Sequence, residues 1–360
     1  SFLMFLGYIL KSFFLLNCDG LTNILTKVFW HFFWEALIKE IWPLCKAPIV
    51  GTKPTVALKL TWLFNLFILL KVNIYDSHSI LQIIMIKQAI IPLAGLGTRL
   101  LPLTSVFAKE LLPINGKPGV EYILEECIDA GIKEIIFIIS DKKKIIKNYF
   151  YNDSFFKKII KKKKDQRVIS EYKKIKKFKK MIKFVYQNKP LGTGDAVYKT
   201  KKMIKDNYFL MLLPDDLIIK KNCSKAMISI HKKNSCSVMA SMRVNKKTVN
   251  RWGIYSKAKK IDKKNFYIKD VIEKPNTKDA PSNNAVIGRY ILPKKIFAIL
   301  KNQKKGKGGE VHITDAIRKL ISQDFKFIGH NFEGKYLDCG TMNGYIKSSL
   351  EISKIWNYAW

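Results

Sequence analysis

From position 87 onward, apolar residues fall in short dense blocks, separated by turn residues or by stretches with helical spacing. Lys87–Leu93 is one such block, and it predicts a buried β-strand. It runs into the Gly-rich loop Ala94-Gly95-Leu96-Gly97-Thr98-Arg99. Gly119–Ala130 repeats apolar positions at helical spacing, and Gly131 predicts where that helix ends. Glu134–Ser140, with Ile-Ile-Phe-Ile-Ile inside it, predicts a second buried strand. Strand, loop, helix and strand within about fifty residues make a βαβ unit, which implies a parallel sheet with right-handed crossovers. Phe209–Leu213 has the same buried-strand character and ends in Pro214-Asp215-Asp216. In such sheets ligands gather beyond the carboxyl ends of the strands, and both the Gly-rich loop and the acidic pair fall there. The predicted fold class is α/β: Rossmann-like, with a mixed, mostly parallel sheet flanked by helices.

Residues 1–84 follow a different pattern. Their apolar runs are short: Lys11 interrupts the first, and Leu60–Leu70 is bounded by Lys59 and Lys71. A spanning helix needs roughly 20 apolar residues, so neither run predicts one and no membrane partner is expected. A basic start followed by a small-residue cleavage site is missing as well. Four of the seven tryptophans (Trp30, Trp34, Trp42, Trp62) lie here, and the chain opens on Ser1. Three readings fit: a membrane-associated segment, a poorly ordered extension, or translated sequence upstream of a start at Met85. The position of Met85 directly before a strand favours the last. The expected organisation is therefore a poorly defined extension over 1–84 and one domain over 85–360.

A formal net charge of +37 invites a nucleic-acid reading. The excess is mostly lysine interleaved with Ile, Phe and Asn, the residues that AT-rich codons supply. Thirteen lysines lie between Lys157 and Lys183 among Ile, Phe and Met. That pattern predicts one or two solvated helices with apolar inner faces. No nucleic-acid-binding motif accompanies them, so no specific nucleic-acid partner is expected. Cys18, Cys45, Cys127, Cys223, Cys236 and Cys339 lie far apart, without Cys-x-x-Cys and without His at zinc-ligand spacing. They predict small core fillers in a reducing, cytoplasmic compartment.

The Gly-rich loop carries the first chemistry. Gly95 and Gly97 let backbone N–H groups face phosphates with no Cβ in the way. The loop lacks the third glycine of the dinucleotide fingerprint and the Gly-Lys-Ser/Thr of the P-loop. Arg99 stands where an anion would lie, and Lys109, in Lys109-Glu110-Leu-Leu-Pro113, adds a second cation ten residues on. Either alone reads as a solvated surface cation; converging, they suit a triphosphate.

Leu93-Ala-Gly-Leu-Gly-Thr-Arg-Leu-Leu-Pro102 and Ala108-Lys-Glu-Leu-Leu-Pro113 open a longer series of blocks. It continues through Gln187, Gly192-Thr-Gly-Asp-Ala-Val197, Leu213-Pro-Asp-Asp216, Glu273-Lys-Pro275 and Ala280-Pro-Ser-Asn283. Ile287-Gly-Arg-Tyr290, Gly309-Glu310, Thr314-Asp-Ala-Ile317 and Asp338-Cys-Gly340 complete it. In this order the blocks resemble the bacterial UTP–glucose-1-phosphate uridylyltransferases, a branch of the sugar-1-phosphate nucleotidyltransferases, over essentially residues 85–355. The resemblance implies the nucleotide-diphospho-sugar transferase fold and the conversion of UTP and glucose 1-phosphate to UDP-glucose and pyrophosphate. It assigns Ala94, Gly95, Gly97 and Thr98 to the nucleotide, and Arg99 and Lys109 to the triphosphate. It gives Gln187 the uracil edge, with Gly194 packing beside the base. Asp215 and Asp338 would bind Mg2+, whose taste for few protein oxygens makes two aspartates sufficient. Gly253, Glu273, Lys274 and Val286 would hold glucose 1-phosphate, with Lys274 on the attacking phosphate and Glu273 on sugar hydroxyls. A homo-oligomer, dimer or tetramer, is also implied.

Three positions depart from the family pattern. Asp195 replaces the usual His beside the base pocket, Ala108 replaces Pro, and His312 replaces Gln. A thymidylyl or other sugar-1-phosphate specificity is the alternative within this class, and a non-catalytic sugar-nucleotide-binding protein is the alternative outside it. Asp216, Glu310 and Asp315 read as helix caps or solvated carboxylates. His231, His312 and His330 show no ligand clustering.

Overall fold

An unbroken apolar strand needs partners on both of its faces, and the central sheet provides them. The computed structural model describes residues 86–355, all within one compact unit; the expectations for 1–84, and for Cys18 and Cys45, lie outside the described residues. The strands begin with β1 (Gln88–Pro92), β2 (Pro113–Ile114), β3 (Lys117–Pro118), β4 (Glu134–Ile139), β5 (Ile182–Tyr186) and β6 (Tyr208–Leu212). They continue with β7 (Asp216–Ile219), β8 (Ser237–Arg243), β9 (Gly253–Lys260), β10 (Asn265–Glu273), β11 (Asn284–Pro293), β12 (Phe327–Asn331) and β13 (Lys335–Asp338). Nine of them form one sheet in the order β5-β4-β1-β6-β11-β8-β12-β10-β9, while β13 pairs with β7 and β2 with β3.

Pairing is parallel through β5, β4, β1 and β6, and again between β8 and β12. β11 runs antiparallel to β6 and β8, and β10 runs antiparallel to β12 and β9. The sheet is therefore mixed, as expected, but parallel pairing dominates only its first half. The second half contains the hairpin β9–β10, whose short connection leaves only the antiparallel arrangement open.

Successive side chains of a strand face opposite ways, and here each way leads to a separate core. Ala89 and Ile91 of β1, Ile135, Phe137 and Ile139 of β4, and Leu210 and Leu212 of β6 enter one core. Their neighbours Ile90, Ile136, Ile138, Phe209 and Met211 enter the other. This double burial explains the runs without polar alternation. The helices are α1 (Gly119–Asp129), α2 (Lys144–Tyr151), α3 (Ser154–Lys163), α4 (Gln166–Met181), α5 (Thr193–Lys199), α6 (Cys223–Asn234), α7 (Ile296–Lys301), α8 (Ile313–Ile321) and α9 (Met342–Ser353). α1, α2, α4 and α6 supply the first core, and α5, α7 and α8 the second.

The lysine-rich stretch is the helix pair α3 and α4. α4 buries Ile175 and Phe178, three residues apart on one face, and leaves Lys173, Lys176, Lys177 and Lys180 exposed, while Lys174 turns in to pair with the buried Glu121 at 2.8 Å. Asp165 caps it by accepting from Arg167 N at 2.8 Å and Val168 N at 3.3 Å. Asp165→Ala is expected to cost about 1 kcal/mol, read as a small fall in the urea midpoint with activity unchanged. Cys127, Cys223 and Cys236 are buried and unpaired, which fits the expected filler role, and Cys339 is half-buried. Burial pushes the Cys236 thiol up to about 11 and the Cys339 thiol up to about 12. No helix among the described residues is long and apolar enough to cross a membrane.

Candidate active site

The loop 94–99 follows β1, Gln187 follows β5, and Asp215 lies three residues beyond β6. These strands belong to the parallel half of the sheet, so all three features lie at one edge, the carboxyl one. Gly97 takes φ 72°, a left-handed turn in which glycine carries no Cβ penalty. Thr104 fastens the turn by donating from Oγ1 to the Gly97 carbonyl at 2.8 Å. A Cβ at Gly97 would stand 3.1 Å from the Thr104 methyl and 3.4 Å from Lys109 Cδ. The aliphatic stem of Lys109 therefore lies against the loop. Ala94 is buried, Gly95 has open space around its missing side chain, and Thr98 and Arg99 are exposed. Arg99 makes no ion pair among the described residues.

Lys109 reaches across the edge and pairs through Nζ with both carboxylate oxygens of Asp215. Asp338 arrives from a distant segment because β13 pairs with β7, setting Asp338 opposite Asp216. The Cys339 N–H then donates to the Asp215 carbonyl at 2.8 Å. A Cβ at Gly340 would meet Asp215 Oδ2 at 3.1 Å and Asp338 Oδ1 at 3.2 Å. The two carboxylates thus flank one small space that only glycine leaves open. That donor set, hard carboxylate oxygens from two aspartates, suits a magnesium ion, which takes few protein ligands. Among the described residues no group of three or more His, Cys, Asp or Glu is placed to hold a metal.

Gly253, Glu273 and Val286 also meet. Gly253 is opposite Glu273 in the β9–β10 ladder, and a Cβ there would lie 3.2 Å from both Glu273 Oε2 and Val286 Cγ2. Lys274 follows with φ 45°, held by its N–H to the Trp252 carbonyl at 3.0 Å. Its Nζ lies 3.9 Å from Glu273 Oε1 and is half exposed. A lysine kept in the left-handed region is an uncommon arrangement, of the kind that gathers at functional sites. β11 joins this cluster to the acidic one. Val286 touches Gly253, and two residues on the Gly288 N–H donates to Asp216 Oδ2 at 2.9 Å.

Gln187 is buried, and its Nε2 donates to Asp195 Oδ2 at 2.7 Å and to the Gly192 carbonyl at 3.1 Å. Gly194 packs closely against a neighbouring segment. Its N–H donates to the Val311 carbonyl at 2.7 Å, and a Cβ would collide with Val311 and Leu300. Glycine at this position lets α5 pack on the 310–311 segment.

Several residues that shape this edge escaped the reading of the sequence. Arg289 is fully buried and donates from Nη2 to Glu126 Oε2 at 2.7 Å and from Nε to Glu126 Oε1 at 3.0 Å. Its Nη1 reaches the carbonyls of Leu213, at 3.2 Å, and Gly288, at 3.3 Å, and so ties down the turn that carries Asp215. Asp216 is neither a helix cap nor a solvated carboxylate. It accepts from the Tyr336 hydroxyl at 2.6 Å and from Gly288, while burial pushes its carboxyl up. Beside Lys109, the buried Glu110 accepts from Lys143 Nζ at 2.8 and 2.9 Å. Burial pushes the Glu110 carboxyl up, against the pull of Lys143 and Lys109. One signal was available: Glu121 and Glu126 fall within the apolar stripe of α1, and a charge in such a stripe calls for a buried partner.

The family profile described as "Nucleotidyl transferase" matches residues 88–355. A UTP–glucose-1-phosphate uridylyltransferase of Mycoplasma pneumoniae is 37% identical over 270 residues, which is 74% of this chain and 91% of that protein. The enzyme of the same name from Bacillus subtilis is 35% identical over 272 residues, again 74% and 91%. The crystal structure of a UDP-glucose pyrophosphorylase complexed with UDP-glucose superposes with a TM-score of 0.67 at 35% identity. It covers 76% of this chain and 100% of its own.

Proposed function

The chain belongs to the nucleotidyl transferase family, and from that premise we propose that it joins UTP and glucose 1-phosphate, giving UDP-glucose and pyrophosphate. The observation that carries this reading is the meeting of Lys109, Asp215 and Asp338 around the open space at Gly340. Cation and paired carboxylates from three separate segments are what a reaction between two polyanions needs.

An oxygen of glucose 1-phosphate attacks the α-phosphorus of UTP in line, and the bond to pyrophosphate breaks. No covalent enzyme intermediate is required. Arg99 and Lys109 hold the triphosphate over the backbone of Ala94, Gly95, Gly97 and Thr98, and Gln187 takes the base. Lys274 grips the attacking phosphate, Glu273 accepts from sugar hydroxyls, and Gly253 and Val286 give the sugar its floor. Asp215 and Asp338 would hold Mg2+, which neutralises charge on the phosphates when bound. Positioning two repelling substrates and compensating their charge supplies most of the acceleration. The reading also includes a cytoplasmic location, which the four unpaired thiols among the described residues support. It includes a homo-oligomer, supported by the exposed apolar side chains of Leu101, Leu103, Val106 and Phe107. A sedimentation mass equal to one chain would remove that last element.

Pyrophosphate release by the full chain, with UTP, dTTP, CTP, ATP and GTP each offered with glucose 1-phosphate and Mg2+, tests the proposal. UTP is expected to lead. A lead for dTTP would move the assignment to thymidylyl transfer, and no Mg2+-dependent release with any pair would leave a non-catalytic sugar-nucleotide-binding protein. Gly253→Ala is expected to raise the KM for glucose 1-phosphate about tenfold while changing that for UTP little, because the added methyl displaces Glu273 and Val286. Initial rates against each substrate in turn check it.

A further inference from the structure

We propose that Asp195 determines nucleobase specificity by locking the side-chain amide of Gln187, so that the Gln187 carbonyl oxygen alone is offered to the base. The inference rests on the reading of Gln187 as the base contact. An amide presents either a donor or an acceptor depending on which way it is turned, and its neighbours decide. Both neighbours of Gln187 Nε2 are pure acceptors: a carboxylate oxygen of Asp195 at 2.7 Å and the backbone carbonyl of Gly192 at 3.1 Å. Turning the amide over would bring Gln187 Oε1 against both of them. The two amide hydrogens are thus used, and Oε1 accepts from no group among the described residues.

The lock is itself held firmly. The Gln187 N–H donates to the Ile139 carbonyl at 2.8 Å, which anchors the residue at the end of β5. Gly192 sits at φ 97°, and the Gly194 N–H is bound to the Val311 carbonyl at 2.7 Å, directly before Asp195. Lys199 Nζ lies 3.9 Å from the other Asp195 oxygen, Oδ1, and offsets the charge. A side chain that both donates and accepts, such as His, would not impose one orientation in the way a carboxylate does.

A free carbonyl oxygen selects a ring N–H. Uracil and thymine carry a hydrogen on N3, whereas cytosine presents a lone pair there. Asp195 therefore favours UTP over CTP and does not separate UTP from dTTP.

The test compares kcat/KM for UTP, dTTP and CTP, with glucose 1-phosphate, in the parent protein and in Asp195→Ala, Asp195→Asn and Gln187→Ala. Asp195→Ala is expected to lower the UTP:CTP ratio by about tenfold or more, chiefly through KM, since a charge-assisted hydrogen bond sets the orientation. dTTP should track UTP throughout. Asp195→Asn keeps a carbonyl that accepts from Gln187 and should retain most of the ratio. Should Asp195→Ala slow UTP and CTP in equal proportion, its role is structural and the proposal falls. If Gln187→Ala loses the discrimination while Asp195→Ala keeps it, Asp195 is overturned and the base reading stands. If both variants keep the parent ratio, the base reading of Gln187 fails and takes the proposal with it.

Discussion

Glu126→Ala is expected to cost about 3–5 kcal/mol of stability, the usual penalty for leaving one partner of a buried ion pair alone. Arg289 has no exposed side-chain surface, and its bidentate partner is the carboxylate that the substitution removes. Ser224, also buried, would lose its acceptor as well, since its hydroxyl donates to Glu126 Oε1 at 2.5 Å. Urea unfolding followed by circular dichroism measures the loss. The double variant Glu126→Leu with Arg289→Met should recover most of it, because an apolar pair of similar volume needs no compensation for charge. Activity should not return with stability. The carbonyls of Leu213 and Gly288 lose their guanidinium donor in the double variant, so the turn that aims Asp215 is left slack. Recovery of both properties together would show that the pair braces the core and does nothing for the site.

The same pair shows what a sequence pattern reveals and what it conceals. The runs at 87–93, 134–140 and 209–213 were legible because a strand covered on both faces has no polar alternation, and their short length, with isoleucine pairs in the first two, sets them apart from a buried helix. The lysine-rich segment was legible as helix because Ile175 and Phe178 keep their spacing among the charges. The direction of the later strands was not, since β11 and β10 take theirs from sheet order and not from local composition. At the site, Lys109, Asp215 and Asp338 could be named because each stands in a short block of its own. Their meeting depends on β7 pairing with β13, more than a hundred residues apart, and no periodicity carries that information. Arg289 illustrates the limit from the other side. It stands in one of the blocks that carry the resemblance, Ile287–Tyr290, yet it is sealed inside the protein, so its own part in the block is to build the turn. Gly194 is a motif glycine that also has a packing demand on it, from the Val311 backbone.

Asp215→Asn and Lys274→Met should each lower kcat by about 10²–10³ while leaving the fold intact, the scale seen when one preorganised charge is removed from a transition state. The two substitutions keep shape and remove charge, which isolates electrostatics from packing. Asp215 and Lys274 are both partly exposed, and neither belongs to an apolar core, so unfolding midpoints should move little. Lys274 is held at φ 45° by its backbone, and methionine there keeps the same conformational cost, so a change in strain cannot account for the loss. The kinetic signatures should differ. Lys274→Met weakens the grip on the attacking phosphate and should raise the KM for glucose 1-phosphate along with lowering kcat. Asp215→Asn releases Lys109 from its partner and leaves Asp338 alone at the Gly340 space, so its defect should grow as Mg2+ is lowered. Steady-state rates over a range of Mg2+ and of glucose 1-phosphate distinguish the two. Near-normal turnover in either purified, folded variant would remove that residue from the catalytic set.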